Sequence, residues 1–159
     1  MRRVVSRAAG FFVVLVLLAA APPARAGGDL TMFGGHAAYY DEYRKGALGL
    51  NARNSFGTSP LTVGFKADYI FRPDNVTWVF EADMQYEFPW RQKRVLFWAG
   101  GGAGILRDDP DGPVRVDIDP IVSGFVGVGR KVGPLLPYVE FRLTSHESAR
   151  GVYYVGLRF

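Results

Sequence analysis

The sequence contains no cysteine, which excludes disulfides, thiol catalysis and thiolate metal sites. Beyond Ala26 it also lacks a long apolar run. The longest, Val95 to Leu106, is rich in glycine and well short of the ~20 residues a membrane-spanning helix needs. The basic excess disappears once the N-terminus is set apart. Arg2, Arg3 and Arg7 open the chain, Ala8 to Ala21 is apolar, and Ala24-Arg25-Ala26 has the A-x-A form of a cleavage site. Residues 1–26 therefore read as a secretory signal peptide removed after Ala26. Four of the 19 Lys and Arg fall in that leader and none of the 15 acids does, so fifteen basic residues face fifteen acidic ones in residues 27–159. That balance removes the charge argument for nucleic-acid binding. The remaining length suits one domain.

Aromatic residues, by contrast, are plentiful: 12 Phe, 8 Tyr and 3 Trp, of which only Phe11 and Phe12 belong to the leader. Their spacing has period two. In Leu61–Phe71, one face carries Leu61, Val63, Phe65, Ala67, Tyr69 and Phe71, and the other Thr62, Gly64, Lys66, Asp68 and Ile70. The next segment sets Trp78, Phe80, Ala82, Met84, Tyr86 and Phe88 against Glu81, Asp83, Gln85 and Glu87. A strand separates two such sets and a helix mixes them. The same rule places strands at Leu30–Tyr39, Gly46–Phe56, Leu61–Phe71, Val76–Phe88, Val95–Leu106, Ile121–Val132, Tyr138–Thr144 and Gly151–Phe159. The sixth can start as early as Val114, with Pro120 marking a bulge or the true start. All eight prolines after the leader fall between these strands or at their ends, where a missing N–H costs no ladder bond. Short connections imply antiparallel neighbours, and an eight-stranded meander closes into a barrel, which removes its edges.

Which face is apolar separates two kinds of barrel. A soluble, lipocalin-like periplasmic barrel would hold the aromatics inside around an apolar ligand; a membrane barrel turns them to lipid and the charges inward. Strand lengths suit a tilted crossing of a bilayer. Tyr69, Phe71 and Trp78 flank one turn, and Tyr86, Phe88, Trp90 and Phe97 the next, as two interfacial girdles would. The polar face is ionic and nearly balanced: Arg53, Lys66, Arg142 and Arg158 against Asp68, Glu81, Asp83, Glu87 and Glu140. It reads as an interior network plugging a barrel only wide enough for its own side chains. The chain ends in Tyr153-Tyr-Val-Gly-Leu-Arg-Phe159.

With a leader, eight amphipathic strands and a last strand ending in Phe, the sequence resembles the small outer-membrane β-barrels of the OmpA transmembrane-domain and OmpX type. The resemblance spans Gly27 to Phe159 and implies an all-β, eight-stranded antiparallel up-and-down transmembrane barrel in the outer membrane of a Gram-negative cell. It implies that Tyr153, Val155, Leu157 and Phe159 form the signal read by the barrel-assembly machinery. It also implies periplasmic turns at Gly57–Pro60, Pro89–Arg94 and Gly133–Pro137, with external loops near Tyr40–Lys45, Arg72–Asn75, Arg107–Asp119 and Ser145–Arg150. Arg44, Lys45, Arg72, Arg107 and Arg150 would then ring the rim where lipopolysaccharide phosphates lie, and are expected to contact them.

Enzymatic signatures are weak. Gly100-Gly-Gly-Ala-Gly104 is not followed by a helix, and Gly124–Lys131 has Val132 where a P-loop needs Ser or Thr. Gly100, Gly102 and Gly104 share the inward parity and make room for large side chains opposite. His146 and Ser148 have the spacing used by outer-membrane lipid A hydrolases, but their even numbers put them inward or in a loop; a polar hairpin is the simpler reading. His36 is expected as a hydrogen-bonded interior histidine, since no second His or Cys is near. The aspartates at 108, 109, 111, 117 and 119 lack EF-hand spacing. The expectation is a monomeric, non-enzymatic barrel with a structural or surface-interaction role, a closed polar interior and no cofactor.

Overall fold

A computed structural model describes residues 31–56, 59–72, 75–88, 94–110, 117–146 and 148–159. The side chains of Asn75, Asp109, Pro110, Asp117, His146, Ser148 and Ala149 lie outside that description, as do the leader, Trp90 and Glu147. Eight strands run in chain order: β1 Thr31–Tyr40, β2 Lys45–Ser55, β3 Leu61–Phe71, β4 Asn75–Phe88, β5 Val95–Pro110, β6 Asp117–Arg130, β7 Leu136–His146 and β8 Ser148–Arg158. Each pairs antiparallel with the next, and β1 with β8 closes the barrel. Closure leaves no edge to template association.

Two expectations about strand ends are corrected. β5 continues past Leu106, paired as far as Asp108↔Asp117 with a β6 that begins inside the early start allowed for the sixth strand, and β7 and β8 stay paired out to His146↔Ser148. A ladder needs only backbone partners, so it outlasts the apolar alternation that marks a strand in sequence. The second correction concerns proline. Pro137 is the second residue of β7, Pro110 ends β5, and Pro120 lies inside β6. The β5–β6 register runs unbroken through Ile105↔Pro120, so Pro120 marks neither a bulge nor a strand start. The reason is geometric. Lys131 N–H donates to Arg94, and two-residue alternation from there aims the Pro120 nitrogen toward β7. Among the described residues that pairing begins at Val122↔Ser145, two positions beyond Pro120.

The β6–β7 hairpin shows how sequence sets a turn. Val132 and Leu135 exchange both backbone hydrogen bonds around Gly133-Pro134. Gly133 sits at φ +61°, the first central position at which type II′ turns require glycine.

One end of the barrel, the terminal end, carries both termini and the hairpins after β2, β4 and β6. The other, the loop end, carries the turn at 41–44 and the connections after β3, β5 and β7. Rows of paired residues climb toward the loop end from β1 round to β6. From His36, mid-strand in β1, the row passes Gly49, Asp68, Val79 and Leu106 to reach Asp119 near the start of β6.

Candidate functional site

The barrel is inverted relative to a soluble protein. Leu48, Phe65, Met84, Val122, Val126 and Val155 face outward and are largely exposed. Among the outward side chains that the structure describes, only Arg107 and Arg130 are charged, near opposite ends; Asp109, paired with Val76, shares the outward parity. Tyr69, Phe71, Trp78 and Phe80 form one chain of ring contacts with centroids 5.0–6.0 Å apart. Tyr86 packs on Phe88 near the terminal end. Tyr153, Val155, Leu157 and Phe159 all point out. A lipocalin-like barrel needs these apolar groups inside, so that alternative is not the arrangement found.

Inside, the alternation delivers Arg53, Lys66, Arg142 and Arg158 against Asp68, Glu81, Asp83 and Glu140, all buried. Four positive charges meet four negative ones. Glu87 is only half-buried and accepts from Gln85 at 3.1 Å. Glu140 is the hub. It accepts from Lys66 Nζ at 2.9 Å, Arg142 Nη2 at 2.9 Å and Trp98 Nε1 at 3.0 Å, with Arg158 at 3.6 Å and Arg53 at 3.8 Å. Arg142 also reaches Glu81 at 2.5 Å and Asp83 at 2.9 Å, and lies over the Phe125 ring. Arg53 clasps Asp83 with both terminal nitrogens, at 2.8 and 3.2 Å. Ser123 donates to Glu81. Pairing of this kind is what an enclosed set of charges requires, because each lone buried charge is very costly, although Arg53 Nε, Arg142 Nε and Arg158 Nη2 are buried without a hydrogen-bond partner.

Room for it comes from glycine on β5. A Cβ at Gly102 would lie 2.8 Å from Glu81 Oε1, and one at Gly100 would lie 2.6 Å from the Phe125 ring. Gly100 and Gly102 thus make room for side chains on β6 and β4, whereas a Cβ at Gly104 would meet the β4 backbone at Phe80 and Glu81.

His36 belongs to a second cluster. Its Nε2 lies 2.5 Å from Asp68 Oδ1, and its Nδ1 lies 3.1 Å from Asn51 Nδ2. Tyr40 and Tyr154 donate to the other Asp68 oxygen at 2.5 and 3.0 Å. Asn51 links onward to Tyr138 and Arg158, each at 3.1 Å. Tyr40, Asn51, Trp98, Ser123, Tyr138 and Tyr154 were not singled out in the sequence, although each has the inward parity of its strand.

The interior is not polar throughout, which corrects the sequence expectation. Ile70, Val79, Leu106, Ile121 and Val152, with Ala47, form an apolar tier between the ionic network and the loop end, each at most 4% exposed. They are the inward residues where the ladder rows reach that end. An ion leaving the network on this side would have to cross them.

At the loop-end rim, Arg44, Lys45, Arg107 and Arg150 are exposed. Arg72 is not: its Nη1 donates to Asp108 at 3.0 Å and Thr77 at 3.3 Å, and its guanidinium lies 4.9 Å from the Tyr43 ring centre. Burial pushes the Tyr43 phenol up to about 12, helped by the Glu42 and Asp108 charges and opposed by Arg72. His146 and Ser148 are directly paired in the β7–β8 ladder. Among the described residues, no group of His, Cys, Asp and Glu is arranged to hold a metal ion.

No protein-family model and no curated protein matches the sequence. Solved structures do match in shape. The N-terminal β-barrel domain of Pseudomonas aeruginosa OprF aligns with TM-score 0.69 at 9% identity, over 83% of this chain and 96% of that one. Neisserial surface protein A aligns with TM-score 0.61 at 14% identity, over 83% and 96%. Ail, the attachment invasion locus protein of Yersinia pestis, aligns with TM-score 0.55 at 14% identity, over 84% and 100%. With its closed antiparallel meander, outward apolar face and ionic interior, the chain has the fold of the small eight-stranded outer-membrane β-barrels.

Proposed function

We propose that the protein is an integral outer-membrane barrel of a Gram-negative cell, exported through a cleaved leader at residues 1–26, with a structural or surface-interaction role and no catalysis. The observation that carries this reading is the division of charge. Among the described outward side chains only Arg107 and Arg130 are charged, while the interior holds four cations against four anions. Each strand has at least the length needed for a tilted crossing. A charge on the lipid face costs ~2–4 kcal/mol at mid-bilayer and little near the interface, which fits two arginines near opposite ends.

The lumen supports a sealed scaffold over a pore. Its charges are mutually neutralised, and the apolar tier around Val79, Leu106 and Ile121 separates them from the loop end. His36, held by Asp68 and Asn51 in the enclosed interior, has no access to a substrate. In this reading both termini are periplasmic and the loop end is external. Arg44, Lys45, Arg107 and Arg150 face lipopolysaccharide phosphates, whereas Arg72 is committed to Asp108. The last strand, with Tyr153, Val155, Leu157 and Phe159 outward, serves as the assembly signal, and the barrel acts as a monomer.

The test is gel mobility of the protein extracted from outer-membrane fractions, unheated against boiled, followed by conductance in planar bilayers. A heat-dependent mobility shift with no steady conductance is the expected pair of results. Protein in the soluble fraction without a shift refutes the membrane reading, and a stable unit conductance refutes the sealed lumen.

A further inference from the structure

The strand pair that closes the barrel, β1 with β8, is strapped from inside. Asn51 on β2 and Arg158 on β8 both pair with Gly34, one on each side of β1. A Cβ at Gly34 would meet the Leu157 carbonyl and lie 3.0 Å from Arg158 Cγ. Without one, Arg158 crosses β1 at this point, and its Nε donates to Asn51 Oδ1 at 3.1 Å. Further up β1, Tyr154 crosses at Ala38, its pairing partner, and donates to Asp68 on β3 at 3.0 Å. His36 stands between the two straps, flanked by Gly49 and Gly156, and touches both. Its Nε2 lies 2.5 Å from Asp68 Oδ1 and its Nδ1 lies 3.1 Å from Asn51 Nδ2. A Cβ at Gly49 would collide with the Asp68 carboxylate and the imidazole together.

The hydrogens of this cluster have one arrangement. A guanidinium only donates, so the Asn51 atom facing Arg158 is its oxygen, and the amide nitrogen faces His36 Nδ1. An amide nitrogen also only donates, so Nδ1 accepts, the imidazole is neutral, and its one proton lies on Nε2 toward Asp68. An imidazolium would set Nδ1–H against the Asn51 N–H. Turning the amide over gives Nδ1–H an acceptor but puts Nδ2 against the Arg158 Nε–H. Protonated His36 and the Arg158–Asn51 bond therefore exclude one another. We propose that His36 is a proton-operated latch on the β1–β8 seam: neutral, it ties both straps together, and as imidazolium it keeps Asp68 and releases Arg158 from Asn51. The released strap lies beside the end of the seam, where Phe33 and Phe159 exchange backbone hydrogen bonds at 3.0 and 2.8 Å. The latch goes beyond the structural role proposed above and requires only the closed barrel.

Other titratable and charged groups lie in or next to the cluster. They are Tyr40 on β1, Arg53 on β2, Lys66 and Asp68 on β3, Tyr138 and Glu140 on β7, and Tyr154 and Arg158 on β8. Glu81 and Asp83 on β4 are held by Arg142. None of these residue types has an ordinary value between ~5 and ~8, whereas that of imidazole is ~6.5.

The test is nitrogen-15 NMR of the full barrel in detergent micelles between ~pH 8 and ~pH 5, a window that brackets the ordinary imidazole value. His146→Gln identifies the signals of the chain's other histidine. At the upper end, His36 is expected as the neutral Nε2–H tautomer with the Arg158 Nε–H protected from exchange. On acidification the imidazolium should appear together with loss of that protection. Exchange of the Phe33 and Phe159 amides, corrected for its intrinsic pH dependence, should then speed up about tenfold, the scale of one lost charge-assisted hydrogen bond. Asn51→Asp offers an acceptor to both neighbours, so in that variant Arg158 should stay protected and the acid response of the two amides should vanish. A proton on Nδ1 of neutral His36 overturns the assignment. The latch is overturned by a His36 that stays neutral to ~pH 5, by an imidazolium that leaves Arg158 protected, or by an acid response that persists in Asn51→Asp. Wild-type spectra decide all but the last of these outcomes, and heat-dependent gel mobility shows whether the variant has closed.

Discussion

The interior network makes a quantitative prediction at Glu140. Its carboxylate meets Lys66, Arg142 and Trp98 at 2.9–3.0 Å and has Arg158 and Arg53 within 3.8 Å. At an effective dielectric of ~20, each of the two ion pairs near 3 Å, with Lys66 and Arg142, carries roughly 5–6 kcal/mol of gross Coulomb attraction, most of it offset by the desolvation of both partners. Glu140→Gln keeps the shape and an acceptor for Trp98 but leaves four cations facing three anions in an enclosed lumen. Breaking a buried pair in this way costs ~3–5 kcal/mol. Lys66→Met removes the matching charge, so the double variant restores neutrality and should be more stable than the sum of the single losses by at least ~1.5 kcal/mol. Urea unfolding of the barrel in lipid vesicles, followed by tryptophan fluorescence, reads both quantities. Trp98, buried against Glu140, reports the site directly. A loss below ~1 kcal/mol for Glu140→Gln, or strict additivity in the double variant, would refute the view that charge balance holds the interior together.

Other consequences follow from single contacts. A Cβ at Gly127 would sit 2.6 Å from Trp98 Cζ2; Gly127→Val should cost ~1–3 kcal/mol in the same unfolding assay, with much of it recovered by Trp98→Leu. The Tyr43 phenol stays neutral to about pH 12, whereas an unfolded tyrosine ionises near ~10. Its stabilising contribution is therefore present below that lower value and fades as pH rises through this window. Ultraviolet difference titration against Tyr43→Phe should show the late-titrating component disappear. Removing Phe159 should lower the amount of folded barrel in cells while leaving refolding into detergent intact; equal losses in both would make the residue structural and not a signal. Ser148→Ala should leave the acylation of lipid A in cells unchanged, and a loss of deacylated product would establish an enzyme.

The strands were legible because the alternation is strict where one face meets charge and the other meets lipid. Phe65, Ala67 and Tyr69 against Lys66 and Asp68 admit one assignment. Legibility faded where that contrast fades. Around His36 the neighbours Gly34, Gly35, Ala37 and Ala38 are small on both sides, so parity says little there; pairing with Gly49 and Gly156 settles it. Toward the loop end, Arg107 and Asp108 break the pattern although the ladder continues through them. The members of the ionic set could be named from the chain, but their partners could not. Tyr154 reaches Asp68 across 86 positions, and Asn51 reaches Arg158 across 107. Such pairings depend on register summed round the closed barrel, which no local pattern carries.

The apolar tier follows from the same closure. Ile70, Val79, Leu106, Ile121 and Val152 are unremarkable one by one, each an aliphatic residue on an inward-facing strand position. The ladder rows climb as they pass round the barrel, so these residues come from different depths in the sequence pattern and still meet at one level below the rim. Their burial brings them beneath the charged rim and above the network centred on Glu140. A conducting lumen would need a polar path at this level to replace the hydration of an ion, and the gap beside Val79, Leu106, Ile121 and Val152, which Tyr40, Thr144 and Tyr154 also line, holds only about 20 Å³. Polar substitution is thus the decisive perturbation. Leu106→Asn with Val79→Ser should admit water between rim and network, and the double variant should conduct in planar bilayers where the wild type does not. A silent double variant that remains heat-modifiable would mean that the ionic network alone seals the barrel, and the tier would then be packing without a barrier role.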